Sequence, residues 1–225
     1  MHIQMMRHRS LILWLTVYAI CMANVEASLV VHLRTIYYPG NPVEIFPLSL
    51  LSHRDLFIEL FRELATILMI FSVAVLSVRE KHRQFGAFLF VFGLWDLFYY
   101  LWLKIIIGWP VRWLEWDVLF LIPWPWLAPW ITAALIAVIM VAGGFRMLML
   151  DAKSEMSGPG LVLLIVGILI SLTSLLLPAW PLLVNGEAAF RGYMPKGFPW
   201  ILYVTGYLLM AVGLWTVIRG NTSRE

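Results

Sequence analysis

His53–Thr66 reads HRDLFIELFRELAT and runs without a break into ILMIFSVAVLSV, residues 67–78. Asp55, Glu59, Arg62 and Glu63 stand there among Leu56, Phe57, Ile58, Leu60 and Phe61. On a helix, steps of three, four and seven return to nearly the same face, so the four charges form one stripe. Alone, the stretch would suit an amphipathic helix lying on a membrane surface. Its apolar continuation makes it instead the start of a spanning helix with a charged stripe, which needs partners elsewhere in the chain.

The composition agrees. Of 225 residues, 62% are hydrophobic and 13% charged, and the mean hydropathy is +0.86. A water-soluble domain of this size cannot bury that much apolar surface, so lipid is the expected solvent. The net charge of +3 does not point to nucleic acid, because the basic residues lie between apolar runs, where membrane topology accounts for them. The single cysteine, Cys21, excludes a disulfide framework within the chain, and no haem, nucleotide or flavin motif is present.

Hydropathy predicts an all-α, six-span bundle forming one multi-pass domain over residues 1–225, with spans near 10–36, 54–78, 85–108, 129–150, 161–177 and 200–218. Residues 1–27 also read as a signal peptide, with a basic start, an apolar LILWLTVYAICMA and a small-residue end. The apolar character continues past that point through SLVV, which favours an uncleaved span. Between spans three and four, WPVRWLEWDVLFLIPWPWLAPW carries Pro110, Pro123, Pro125 and Pro129 and cannot be one helix. It reads as an interfacial or re-entrant segment that caps the bundle, with Pro129 in the first turn of span four. The sequon at Asn221-Thr222-Ser223 carries no weight beside the last span.

Loop charge sets the orientation. Arg7, Arg9, Arg79, Lys81, Arg83, Arg146, Lys153, Arg219 and Arg224 fall on one side, and Arg34, Arg54, Arg112, Arg191 and Lys196 on the other. Nine against five predicts both termini inside, in a bacterial inner membrane. Glu26, His32 and Arg34 then lie towards the outer end of span one, and the charged stripe occupies the outer half of span two. Asp96, Tyr99, Tyr100 and Lys104 run outward along span three, and Glu115 and Asp117 sit in the aromatic segment. Spans four to six are almost uncharged.

An ionised side chain at mid-membrane costs about 2.5–3.5 kcal/mol, so Glu26, Glu59, Arg62, Glu63 and Asp96 would together cost about 12–17 kcal/mol against lipid. They are expected to converge on an outward-facing acidic cavity lined by Glu26, Glu59, Arg62, Glu63, Asp96, Tyr99, Tyr100 and Asp117, with Arg62 the main counter-ion. Trp95-Asp96-Leu97-Phe98 and Trp116-Asp117-Val118-Leu119-Phe120 place one aspartate on the helix and one in the overlying segment. The structural alternatives pair Arg62 with Glu59 or Asp55, and Asp96 with Arg34 or Lys104. Ala23 and Ala27, four apart, read as helix packing.

Three functions follow from such a cavity. One is binding or transport of a cation, a proton or a small cationic solute, to which carboxylates and an aromatic rim are suited. In size and topology, though through no motif, the chain resembles the substrate-binding subunits of energy-coupling-factor vitamin transporters. Another is a metal-dependent membrane enzyme, for which Glu26, His32, His53, Glu59, Glu63 and Asp96 are candidate ligands. Ser52, His53 and Asp55 are triad residue types without triad spacing, and no G-x-S-x-G elbow exists. The last is a non-catalytic subunit whose polar face meets a membrane-protein partner.

Overall fold

Ser52 starts the charged helix: its side chain accepts the backbone N–H of Asp55 at 3.1 Å, satisfying one of the free donors of a helix N-terminus. The computed structural model describes residues 2–149 and 158–219. Residues 150–157, with Lys153, and residues 220–225, with Arg224 and the sequon, lie outside the described residues. The helices are α1 His2–Tyr37, α2 His53–Ser77, α3 Lys81–Ile107, α4 Trp130–Met149, α5 Gly158–Leu176, the short α6 Trp180–Asn185 and α7 Trp200–Arg219. Six segments are long and apolar enough to cross a membrane: Arg9–Tyr37, His53–Ser77, Lys81–Ile107, Trp130–Met149, Gly158–Asn185 and Trp200–Val217. At about 1.5 Å per residue the shortest of these still reaches ~27 Å, close to the hydrocarbon thickness of a bilayer.

Two helix pairs close to backbone contact. A Cβ added at Gly144 would stand 2.4 Å from the Phe90 nitrogen and 2.5 Å from the Gly86 carbonyl oxygen, and one at Gly93 would stand 2.6 Å from the Ala137 oxygen. Gly86 and Gly93, like Ala137 and Gly144, are seven apart, so α3 and α4 meet along one seam at every second turn. The same device joins α5 to α7. Gly167 would meet the Met210 nitrogen at 2.4 Å and Gly213 the Leu164 nitrogen at 2.4 Å, with Gly160 and Gly206 completing the two heptad steps. Helix α1 packs along α3 through Ala19, Ala23 and Ala27, all fully buried, and the Trp102 indole N–H donates to the Ile20 carbonyl.

The segment after α3 departs from the all-α expectation. Trp116–Phe120 (β1) and Trp126–Pro129 (β2) form an antiparallel hairpin, with Asp117 opposite Ala128 and Val118 opposite Leu127. Aromatic and β-branched side chains suit a pleated, half-buried surface, and the prolines fall in the connection and at the strand end, where no ladder N–H is lost. Pro129 therefore closes β2 instead of opening α4. The hairpin packs Leu127 onto Ala179 and Leu182, where α5 runs on into α6, and the Trp124 indole N–H donates to the Ala179 carbonyl. Leu48 and residues 192–193 exchange backbone hydrogen bonds at 2.9 Å, tying the loop after α1 to the loop before α7.

Candidate functional site

At this pole, α1, α2, α3 and the hairpin enclose a cavity of about 560 Å³. Helix α2 turns Glu59, Glu63, Thr66, Ile70 and Ala74 inward, a stripe advancing by three or four residues, while Phe57, Phe61, Leu64 and Leu68 face outward. One stripe thus grades from carboxylate to methyl within the length of the helix. Glu26, Glu59, Arg62, Glu63, Asp96, Tyr99, Tyr100 and Asp117 all line the cavity, as do Arg34, His53, Thr66 and Trp95.

Arg62 joins α1 to α2. Its Nη1 donates to Glu26, while Nε and Nη2 reach Glu59 Oε2 at 2.9 and 2.8 Å. Asp55 is not part of this pair and instead accepts the Tyr37 hydroxyl. Glu26 also accepts the Thr66 hydroxyl. Glu63 holds the hairpin, both of its oxygens standing 3.0 Å from the Leu121 backbone nitrogen. Arg34 pairs with Asp117 at 3.1 Å and lies over the Trp109 ring, 4.3 Å from its centroid. This corrects one expectation. Asp96 pairs with neither Arg34 nor Lys104, whose Nζ donates to the Gly108 and Pro110 carbonyls. Trp109 is fully buried beneath Arg34.

Five carboxylates, Glu26, Glu59, Glu63, Asp96 and Asp117, and two guanidiniums, Arg34 and Arg62, therefore share one cavity. Four of those carboxylates are engaged; Asp96 makes no hydrogen bond or ion pair with any described residue. Burial pushes the Asp117 carboxyl up to about 6, with the Arg34 guanidinium acting in the opposite direction. Further capacity is unmet around it: Arg34 Nη1, Asp117 Oδ2 and Trp95 Nε1 are buried without a partner. Each such group costs about 1–3 kcal/mol if left unsatisfied.

The remaining metal candidate, His32, is exposed, bonds the Ser28 carbonyl at 2.6 Å and lies outside the cavity lining. His53 is at the cavity rim. Among the described residues no three His, Cys, Asp or Glu side chains form a group able to hold a metal ion.

Sequence reasoning missed Thr66 as a site residue, although it follows Glu59 by seven and so shares its face. The partner of Glu63 is a backbone N–H, for which side-chain identity carries no signal. Trp95 was legible as a neighbour of Asp96 but not as an unmet donor. Comparison with known proteins found no matching family model, no matching curated protein and no matching solved structure.

Proposed function

We propose that this is a bacterial inner-membrane protein, both termini cytoplasmic, which binds a small cationic solute in an outward-facing acidic cavity capped by the Trp/Pro-rich hairpin. The carrying observation is the charge balance: five carboxylates against two guanidiniums, with Asp96 left without a partner among the described residues. An uncompensated carboxylate at membrane depth is costly, and a cation beside it removes that cost. The volume is that of a site for a small organic molecule, and aromatic walls add cation–π attraction. Loop charge supports the orientation, since the cavity lies at the pole of Arg54, Arg112 and Arg191, the side poorer in Lys and Arg. The grouping of the acids around two arginines and a backbone N–H, with His32 elsewhere, suits a solute better than a resident metal.

The test is binding to the purified protein, read from tryptophan fluorescence, with phenethylamine as the cationic probe and 3-phenylpropionate as its anionic counterpart. Phenethylamine is expected to bind and 3-phenylpropionate not. Asp96→Asn should weaken phenethylamine about tenfold or more, the effect of ~1.4 kcal/mol. Equal binding of the two probes, or indifference to Asp96→Asn, would sink the reading.

A further inference from the structure

The cavity's unmet hydrogen-bonding capacity is of both signs. Trp95 Nε1 and Arg34 Nη1 are buried donors without an acceptor, and Asp117 Oδ2 is a buried acceptor without a donor. Asp96 adds a carboxylate with no partner among the described residues. Arg34, Asp117 and Trp95 are only 5%, 2% and 8% exposed, and all four residues line the cavity. A buried polar group is ordinarily satisfied, so the set describes what is to be bound.

A metal cation or a quaternary ammonium would meet the two aspartates, but it would set a second positive charge beside Arg34 and leave both donors unmet. A simple anion fails in the mirror sense, against Asp96 and Asp117. A zwitterion answers all four. Its ammonium donates to Asp96 and to Asp117 Oδ2; its anionic group accepts from Arg34 Nη1 and Trp95 Nε1. Laid head to tail across the Arg34–Asp117 pair, each of its charges faces the opposite one. Elsewhere the lining includes Val30, Leu33, Ile45 and Leu48, which suit an apolar body, while Glu26, Glu59, Arg62 and Glu63 are already held by one another, by Thr66 and by the Leu121 N–H.

We infer that the ligand is a zwitterionic primary amine on an apolar body. This rests on the reading of the cavity as a site for a cationic group, which here is the ammonium of a solute that also carries an anionic group. The same head occurs in free amino acids with apolar side chains and in ethanolamine phospholipids, and the cavity chemistry is shared by both.

The test uses the full chain in phosphatidylcholine nanodiscs, with phenylalanine and phenethylamine as free probes that differ by one carboxylate. Native mass spectrometry with added dioleoylphosphatidylethanolamine, against added dioleoylphosphatidylcholine, forms the lipid arm. One of the two zwitterionic amines is expected to bind at least tenfold more tightly than its comparison compound. Tight phenylalanine marks a free solute, and selective retention of the ethanolamine lipid marks a lipid source. Trp95→Phe keeps an aromatic side chain and removes the N–H, so it should cost the preferred zwitterion about ten times more than it costs phenethylamine. Asp96→Asn should weaken both. If phenylalanine binds no better than phenethylamine and the ethanolamine lipid no better than the choline lipid, the inference is overturned while the cation site survives. If Trp95→Phe weakens phenethylamine as much as the zwitterion, the donor role fails. Should no amine bind in an Asp96-dependent way, both readings fall together.

Discussion

Replacing Arg62 by Met tests whether the ion cluster holds α2 to α1. The side chain keeps a similar length and loses its charge. In the wild type its three nitrogens serve Glu26 and Glu59, whose side chains are only 3% and 11% exposed. Arg62→Met therefore leaves two buried carboxylates, one holding only the Thr66 hydroxyl, the other nothing. Breaking a buried pair by removing one partner costs about 3–5 kcal/mol, chiefly because the remaining charge is uncompensated. That is roughly two to four powers of ten in the unfolding equilibrium. Glu26→Gln in the Arg62→Met background removes one of the stranded charges and is expected to recover part of the loss. The two single costs should then exceed the double cost by about 0.5–3 kcal/mol, the range for residues in one network. The measurement is reversible unfolding in mixed detergent micelles, titrated with SDS and followed by the fluorescence of the 12 tryptophans. A cost below ~1 kcal/mol for Arg62→Met, or additivity within ~0.5 kcal/mol, would refute the cluster as a tether.

Three further outcomes follow from the geometry. Glu63→Ala removes the acceptor of the Leu121 N–H, a charge-assisted bond of about 1.5–3 kcal/mol, so hydrogen exchange at Leu121 should accelerate roughly 10- to 150-fold; an unchanged rate would show that Glu63 does not hold the hairpin. Gly167→Ala drives a methyl into the α7 backbone at 2.4 Å and should cost about 1–3 kcal/mol, whereas Gly158→Ala, with nothing within 4 Å, should stay within ~0.5 kcal/mol. Asp117, raised from 3.8 to about 6 by burial despite Arg34, binds its proton more tightly folded than unfolded. Its contribution is therefore most favourable below pH 3.8, declines as pH rises to 6 and is flat above, a span of ~3 kcal/mol. Asp117→Asn should remove that slope from the unfolding free energy, and a slope that persists unchanged would assign the titration to another group.

How far the bundle was legible depends on which property each contact uses. The six spans come from hydropathy, which long apolar helices display in full, and the polar pole comes from Glu26, Glu59, Glu63 and Asp96 standing where lipid forbids them. The hairpin was hidden because the same tryptophans and prolines suit an interfacial loop and a β-ribbon, and the pairing that decides between them lies in backbone hydrogen bonds. The seams were readable in principle: Gly86 and Gly93, Gly160 and Gly167, and Gly206 and Gly213 each repeat at seven, but the period alone does not say which helix answers which. Pairing among charges was the least legible. Arg34, Arg62 and Lys104 had several carboxylates in reach by depth, and only the three-dimensional arrangement gives Arg62 two of them, Arg34 one and Lys104 none. That arrangement leaves Asp96 without a partner among the described residues. Asp96 is also one turn below Tyr100 on α3, and α3 is locked to α4 at backbone contact by Gly93 and Gly144. This carboxylate thus sits on a wall held to α4 at backbone contact. Of the paired ones, Glu26 bridges α1 to α2 and Asp117 bridges the hairpin to α1, elements joined there by side chains. A charge fixed on a rigid wall is pre-organised for a ligand, because no side-chain pairing has to be broken before it binds.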